Sequence, residues 1–112
     1  MARLYVYAVI WAKDQRTVDL PAVADASTRA YCLPIGSIAA VVSETEEEEI
    51  LSTRRNMLAH TKILEELNRD RPILPFRFGM LATSRESLIA MLRAREIELC
   101  RALEEFRDAI EV

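Results

Sequence analysis

The residues that could do chemistry are few and scattered. The chain of 112 residues holds one histidine, His60, and two cysteines, Cys32 and Cys100. Acid–base or nucleophilic catalysis needs a base beside a nucleophile, or two carboxylates held apart by the fold. His60 lies between Ala59 and Ile63 on an apolar helical stripe, where a half-buried histidine that packs and makes one hydrogen bond is the common case. Neither cysteine has a second cysteine or a histidine at metal-ligand spacing, so two buried, reduced thiols are expected. Glu46, Glu47, Glu48 and Glu49 are consecutive, and on a helix consecutive side chains diverge and do not converge on one ion. No glycine-rich loop precedes a helix to cradle a phosphate. The reading is no catalytic residue, no cofactor and no metal.

Chemistry of binding is better represented. In the run Leu4–Trp11, strict alternation places Leu4, Val6, Ala8 and Ile10 on one face and Tyr5, Tyr7, Val9 and Trp11 on the other, so both faces are apolar. If helices cover one face only, the aromatic face wants a partner; alternatively the segment around Val18 to Val23 folds over it. Arg77 stands between Phe76 and Phe78 in an otherwise apolar stretch, and its guanidinium needs an acceptor. An internal pair with Glu44 would supply one, as would a partner's carboxylate or carbonyl. The candidate partner-binding residues are therefore Tyr5, Tyr7, Trp11 and Arg77.

The elements that must position them follow from periodicity. Leu4–Trp11, rich in β-branched and aromatic residues, reads as a central strand. Residues from Asp14 to Ser27 suit an irregular crossover with one helical turn around Ala22 to Asp25. Thr28 to Leu33 and Ser37 to Ser43 read as a hairpin turned by Pro34-Ile35-Gly36. Thr45 with Glu48 matches a capping box, and the glutamates after it suit a first helical turn. A helix is thus expected from Glu46 to about Arg69, with Ile50, Leu51, Met57, Leu58, Ile63, Leu64 and Leu67 forming its stripe. Ile73–Phe78 reads as a further strand closed by Gly79. Thr83 with Glu86 opens a second helix from about Ser84 to Ile110, its apolar face carrying Leu88, Leu92, Leu99, Leu103, Phe106 and Ile110. The whole is α+β, a ferredoxin-like domain over residues 1–112, with a four-stranded, mainly antiparallel sheet and two long helices on one face.

A net charge of −3 gives no positive field to release counterions from a phosphate backbone, which argues against nucleic acid. The apolar run from Leu4 to Ala12 is too short to span a bilayer, and Lys13 and Asp14 follow it where a cleavage site would stand. The expected setting is the cytoplasm, away from membranes.

Several blocks resemble a known family. Leu4-Tyr5-Val6-Tyr7-Ala8-Val9, Ile38–Glu44, Leu58-Ala59-His60 with Ile63-Leu64-Glu65, and above all Ile73-Leu74-Pro75-Phe76-Arg77-Phe78-Gly79 are similar to the amino-terminal half of the gas vesicle accessory proteins GvpF and GvpL, in the same order and at comparable spacing. Ala8 stands where a glycine is common there, and Met80-Leu81-Ala82 also differs. The resemblance implies a ferredoxin-like domain without enzymatic activity, acting in gas vesicle assembly as an adaptor or chaperone that binds the shell protein or other accessory proteins. Two other readings stand beside it. One is a small ferredoxin-like enzyme or ligand-binding module with a pocket lined by His60, Tyr7 and Arg77; the other, compatible with the adaptor, is a homodimer joined through its sheet faces.

Overall fold

β1 (Arg3–Trp11) is the centre of the molecule, every residue from Leu4 to Ile10 being buried. The computed structural model describes residues 2–110, with side chains described for residues 2–105. On one side β1 pairs with β3 (Ile38–Thr45), which in turn pairs with β2 (Tyr31–Ile35) through a hairpin turned at Gly36, φ +63°. On its other side β1 pairs with two short strands, β4 (Leu74–Pro75) and β5 (Leu81–Ala82). All pairings are antiparallel, in the order β2-β3-β1-β4 with β5 also on β1. β3 thus lies between β1 and a β2 parallel to β1, the split arrangement of a ferredoxin-like sheet. The fold class is α+β, as expected, with a fifth strand and a third helix beyond the expected count.

The crossover from β1 to β2 stands in place of a helix. Its helical turn is a 3₁₀ turn at Ala12–Asp14 rather than at residues 22–25, where Ala24 instead takes φ +74°. A single bridge between Pro21 and Arg29 closes the segment on itself.

Strict alternation along β1 fails at one place, and that changes which side chains share a face. Val6 pairs with Val42 and Ala8 with Val41, so Tyr7 is an extra residue, a β-bulge. Past the bulge the faces exchange: Tyr5, Tyr7, Ala8 and Ile10 share one core cluster, while Leu4, Val6 and Val9, with Trp11 packed against them, join another. The aromatic face proposed from alternation is therefore split, with Trp11 on the opposite side from Tyr5 and Tyr7.

Both faces are covered. On the tyrosine face lie Val18 and Val23 of the crossover and Ala59, Ile63 and Leu67 of α1 (Arg54–Leu67). On the other lie Leu88 and Leu92 of α2 (Arg85–Ala94) and Leu103 of α3 (Glu96–Ile110). Helices on one face only was the expectation; the second face is covered because the expected long helix breaks at Arg95, letting α2 and α3 bring separate leucines to one sheet surface. Each fully buried leucine contributes roughly 1.5–3 kcal/mol to that layer. Phe106 and Ile110, expected on the same stripe, lie outside the described side chains. Among the described residues, the crossover and the helices thus occupy both faces of the sheet.

Helix starts also differ from expectation. β3 runs on to Thr45, which pairs with Arg3, and Thr45 Oγ1 accepts from the Glu47 N–H at 3.1 Å, so no capping box forms with Glu48. With Thr45 held in the ladder, α1 begins only at Arg54, where Thr53 accepts from the Asn56 N–H at 3.2 Å. α2 is capped by a reciprocal Ser84 and Ser87 box, in place of Thr83 and Glu86.

Candidate docking loop and its buried clamp

The stretch expected as a continuous strand, residues 73–78, is interrupted. Tyr5 to Ala8 is three steps along β1, whereas their partners Leu81 and Pro75 are six apart, so three surplus residues on the edge must leave the ladder. Pro75 has no N–H to continue it, and Gly79, at φ +94°, turns the chain back in a conformation that costs other residues strain. What leaves the ladder is the loop carrying Arg77.

The loop is fastened on both sides. The Phe76 N–H donates to the Tyr7 carbonyl at 2.9 Å, and the Val6 N–H donates to the Met80 carbonyl at 3.0 Å. Between these, the Gly79 N–H donates to the Tyr5 hydroxyl at 3.0 Å, and that hydroxyl lies 2.8 Å from His60 Nδ1. With its oxygen accepting from Gly79, the Tyr5 O–H donates to Nδ1, so His60 carries its proton on Nε2. The Phe76 backbone beside the His60 ring acts in the sense that raises its pKa, opposing burial. Phe78 closes the arrangement edge-on to Tyr5 and His60, with ring centroids 6.2 and 5.6 Å away.

Tyr7 extends the clamp to the crossover. Its hydroxyl accepts from the Val23 N–H at 2.9 Å and shares a hydrogen bond of 2.9 Å with the Ser43 hydroxyl. Its ring meets Tyr5 edge-on with centroids 4.8 Å apart. Among the described residues, no buried side-chain nitrogen or oxygen lacks a partner.

The electrostatics follow from burial. Desolvation pushes Tyr5 up to about 12, against the pull of the Gly79 N–H, and raises Tyr7 as well. Burial lowers His60 below its ordinary 6.5, only partly offset by the Phe76 backbone. At neutral pH the clamp is an uncharged network.

The four candidate residues therefore separate. Tyr5 and Tyr7 are fully enclosed and cannot touch a partner in this fold; their hydroxyls hold loops instead. Trp11 is half-buried on the far face, on the rim of a groove of about 510 Å³ shared with Ala12, Lys13, Ser37 and Glu104. Arg77 is exposed and makes no ion pair among the described residues. The internal pair with Glu44 is not formed; Glu44 lies beside the Tyr31 hydroxyl and helps raise its pKa after burial does. Nor do His60, Tyr7 and Arg77 line a common surface, since the first two spend their polar atoms inside the core while Arg77 faces solvent. Ser43 and the Val23 and Gly79 amides were not singled out from the sequence. The signal for them was the tyrosines themselves, because a hydroxyl on a strand buried on both faces must find partners.

Cys32 and Cys100 are free and half-buried, and pack against opposite faces of the sheet. No helix among the described residues is long and apolar enough to cross a membrane.

Residues 3–112 match the family described as gas vesicle synthesis protein GvpL/GvpF. The chain belongs to that family. Gas vesicle protein F2 of Halobacterium salinarum is 30% identical over 114 residues, covering 99% of this chain and 52% of the relative. Gas vesicle protein F of Nostoc is 31% identical over 91 residues, covering 80% of this chain and 36% of the relative. The crystal structure of GvpF from Anabaena superposes with a TM-score of 0.79 at 23% identity, over 94% of this chain and 45% of that one. The GvpF structure from Microcystis aeruginosa gives 0.75 at 21%, over 94% and 44%. The fold is thus shared with GvpF, and this chain spans about half the length of the relatives it matches.

Proposed function

We propose that the chain works as a single module in gas vesicle assembly, docking the shell protein or another accessory protein through the loop that carries Arg77, as an adaptor or chaperone and not as an enzyme. The observation that carries this reading is an exposed guanidinium, without an ion pair among the described residues, on a loop whose two ends are fixed by hydrogen bonds to β1. A fixed loop loses little conformational entropy on binding, and arginine can meet a carboxylate or carbonyl through two parallel donors. Family membership supports the gas vesicle setting, and placement in the cytoplasm beside the growing vesicle is part of the same proposal.

Capture of the purified shell protein tests the reading. Immobilised chain is expected to retain it, with Arg77→Ala weakening retention about tenfold and Arg77→Glu more, since interface arginines are frequent hot spots. Arg93→Ala, an exposed change on α2, serves as the control. Equal retention by Arg77→Glu and the parent would remove the loop from the interface.

A further inference from the structure

A second surface, distinct from the Arg77 loop, lies between α1 and the crossover. A groove of about 260 Å³ is lined by Leu20, Pro21 and Ala26 on one wall and by Arg55, Leu58, Ala59 and Lys62 on the other. Leu58 remains 45% exposed, and the neighbouring Met57 and Leu51 are 48% and 65% exposed. Three of the five exposed large apolar side chains among the described residues therefore fall near the first half of one helix and the segment leading into it, a concentration that scattered surface apolar residues do not show.

The groove's rim is positive although the chain is acidic. Arg55 and Lys62 are seven residues apart on α1, about 10 Å along the axis at 1.5 Å per residue, with Leu58 and Ala59 between them. Arg54 adds a third cation at a helix start that has no acidic residue in its first turn, so the side chains and the helix dipole reinforce one another there. Of the nearby carboxylates, Asp25 accepts from the Ser27 N–H and hydroxyl and from the Thr28 hydroxyl, Asp19 pairs with Arg29 at 3.1 Å, and Glu66 pairs with Arg69 at 3.2 Å. Arg55 is braced by donation to the Ala22 carbonyl and to Asn56 Oδ1, each at 2.8 Å. Asn56 Oδ1 also accepts from the Ala24 N–H at 3.0 Å, and Asn56 Nδ2 donates to the Leu51 carbonyl at 3.0 Å. The walls are thus tied together before anything binds.

We infer that this groove docks an acidic amphipathic helix of a partner protein, its leucine-like side chains entering between Leu20, Pro21 and Leu58 and its carboxylates, two turns apart, meeting Arg55 and Lys62. Two cations two turns apart with apolar surface between them match one face of such a helix, where residues i and i+7 carry acid and i+3 and i+4 carry leucine. The inference rests on the docking reading of function but not on Arg77.

The probe is a fluorescently labelled helical peptide with glutamates at i and i+7 and leucines at i+3 and i+4, titrated with the whole chain and followed by anisotropy. The acidic peptide is expected to bind, to weaken with added salt, and to lose at least about tenfold in affinity with Lys62→Glu or with Leu58→Ser. Both are exposed changes whose circular dichroism should match the parent's. Arg77→Ala is expected to bind the peptide like the parent, which separates failure of this inference from failure of the loop's role. Equal binding of a peptide with lysine in place of glutamate, or unchanged affinity in both groove variants, overturns it. So does a homodimer in sedimentation that Lys62→Glu dissolves, because the groove's occupant would then be a second copy.

Discussion

Tyr5→Phe removes one oxygen and tests the clamp directly. That hydroxyl accepts from the partly buried Gly79 N–H and donates to the buried His60 Nδ1. Losing the first leaves an amide that water can partly reach, costing about 0.5–1 kcal/mol; losing the second leaves a buried acceptor without a donor, costing about 1–3 kcal/mol. The ring's own burial is unchanged, so the sum is about 1.5–4 kcal/mol, or a fall in Tm of roughly 5–20 °C for a domain of this size. Urea unfolding gives the first measurement and native-state hydrogen exchange the second: the Gly79 amide should exchange faster in the variant while the amides of β3 keep their order of protection. A stability change under about 0.5 kcal/mol, with Gly79 exchanging as in the parent, would refute the clamp.

Four further outcomes are expected. His60 has a lowered folded pKa, so between that value and 6.5 the unfolded chain binds more protons; stability should fall as pH drops below about 6.5, and His60→Gln should flatten the fall. Tyr5, raised to about 12, stays neutral where the unfolded side chain ionises, so stability should also fall from about pH 10 upward, less so in Tyr5→Phe. Gly36→Ala should destabilise by about 1–3 kcal/mol in chemical denaturation, because φ is +63° there and a Cβ would overlap the Glu96 carboxylate that accepts from the Ser37 N–H at 2.9 Å. Ala24→Gly, at φ +74°, should stabilise by about 0.5–1 kcal/mol, net of the added unfolded-state entropy, read as a shift in urea midpoint.

Much of this architecture was legible because short-range physics dictates it. β1 announced itself by Val, Ile and Tyr, and the β2–β3 hairpin by Gly36. The halt at Pro72 was equally visible, α1 ending at Leu67 before it. What was not legible depended on long-range pairing. The bulge at Tyr7 exists only against β3, and no pattern within Leu4–Trp11 marks where the faces exchange. The late start of α1 came from β3 extending to meet Arg3, which defeated a locally sound capping pattern at Thr45. The break at Arg95 has no glycine or proline; it accompanies Glu96 reaching the turn at Gly36 and Ser37, 59 residues away in sequence. For the candidate site, Arg77 was visible as a charge set between two phenylalanines. The roles of Tyr5 and Tyr7 were not, because whether a tyrosine is displayed or enclosed is decided by what packs over the sheet.

The proposed function requires that the loop held by Tyr5 and His60 meet the partner. Hydrogen exchange of the chain alone and in complex with the gas vesicle shell protein addresses it at residue resolution. Slowed exchange at the Arg77 and Phe78 amides on complex formation is the predicted result. A complex that leaves those two amides exchanging as in the free chain, with protection confined to other surfaces, would contradict it.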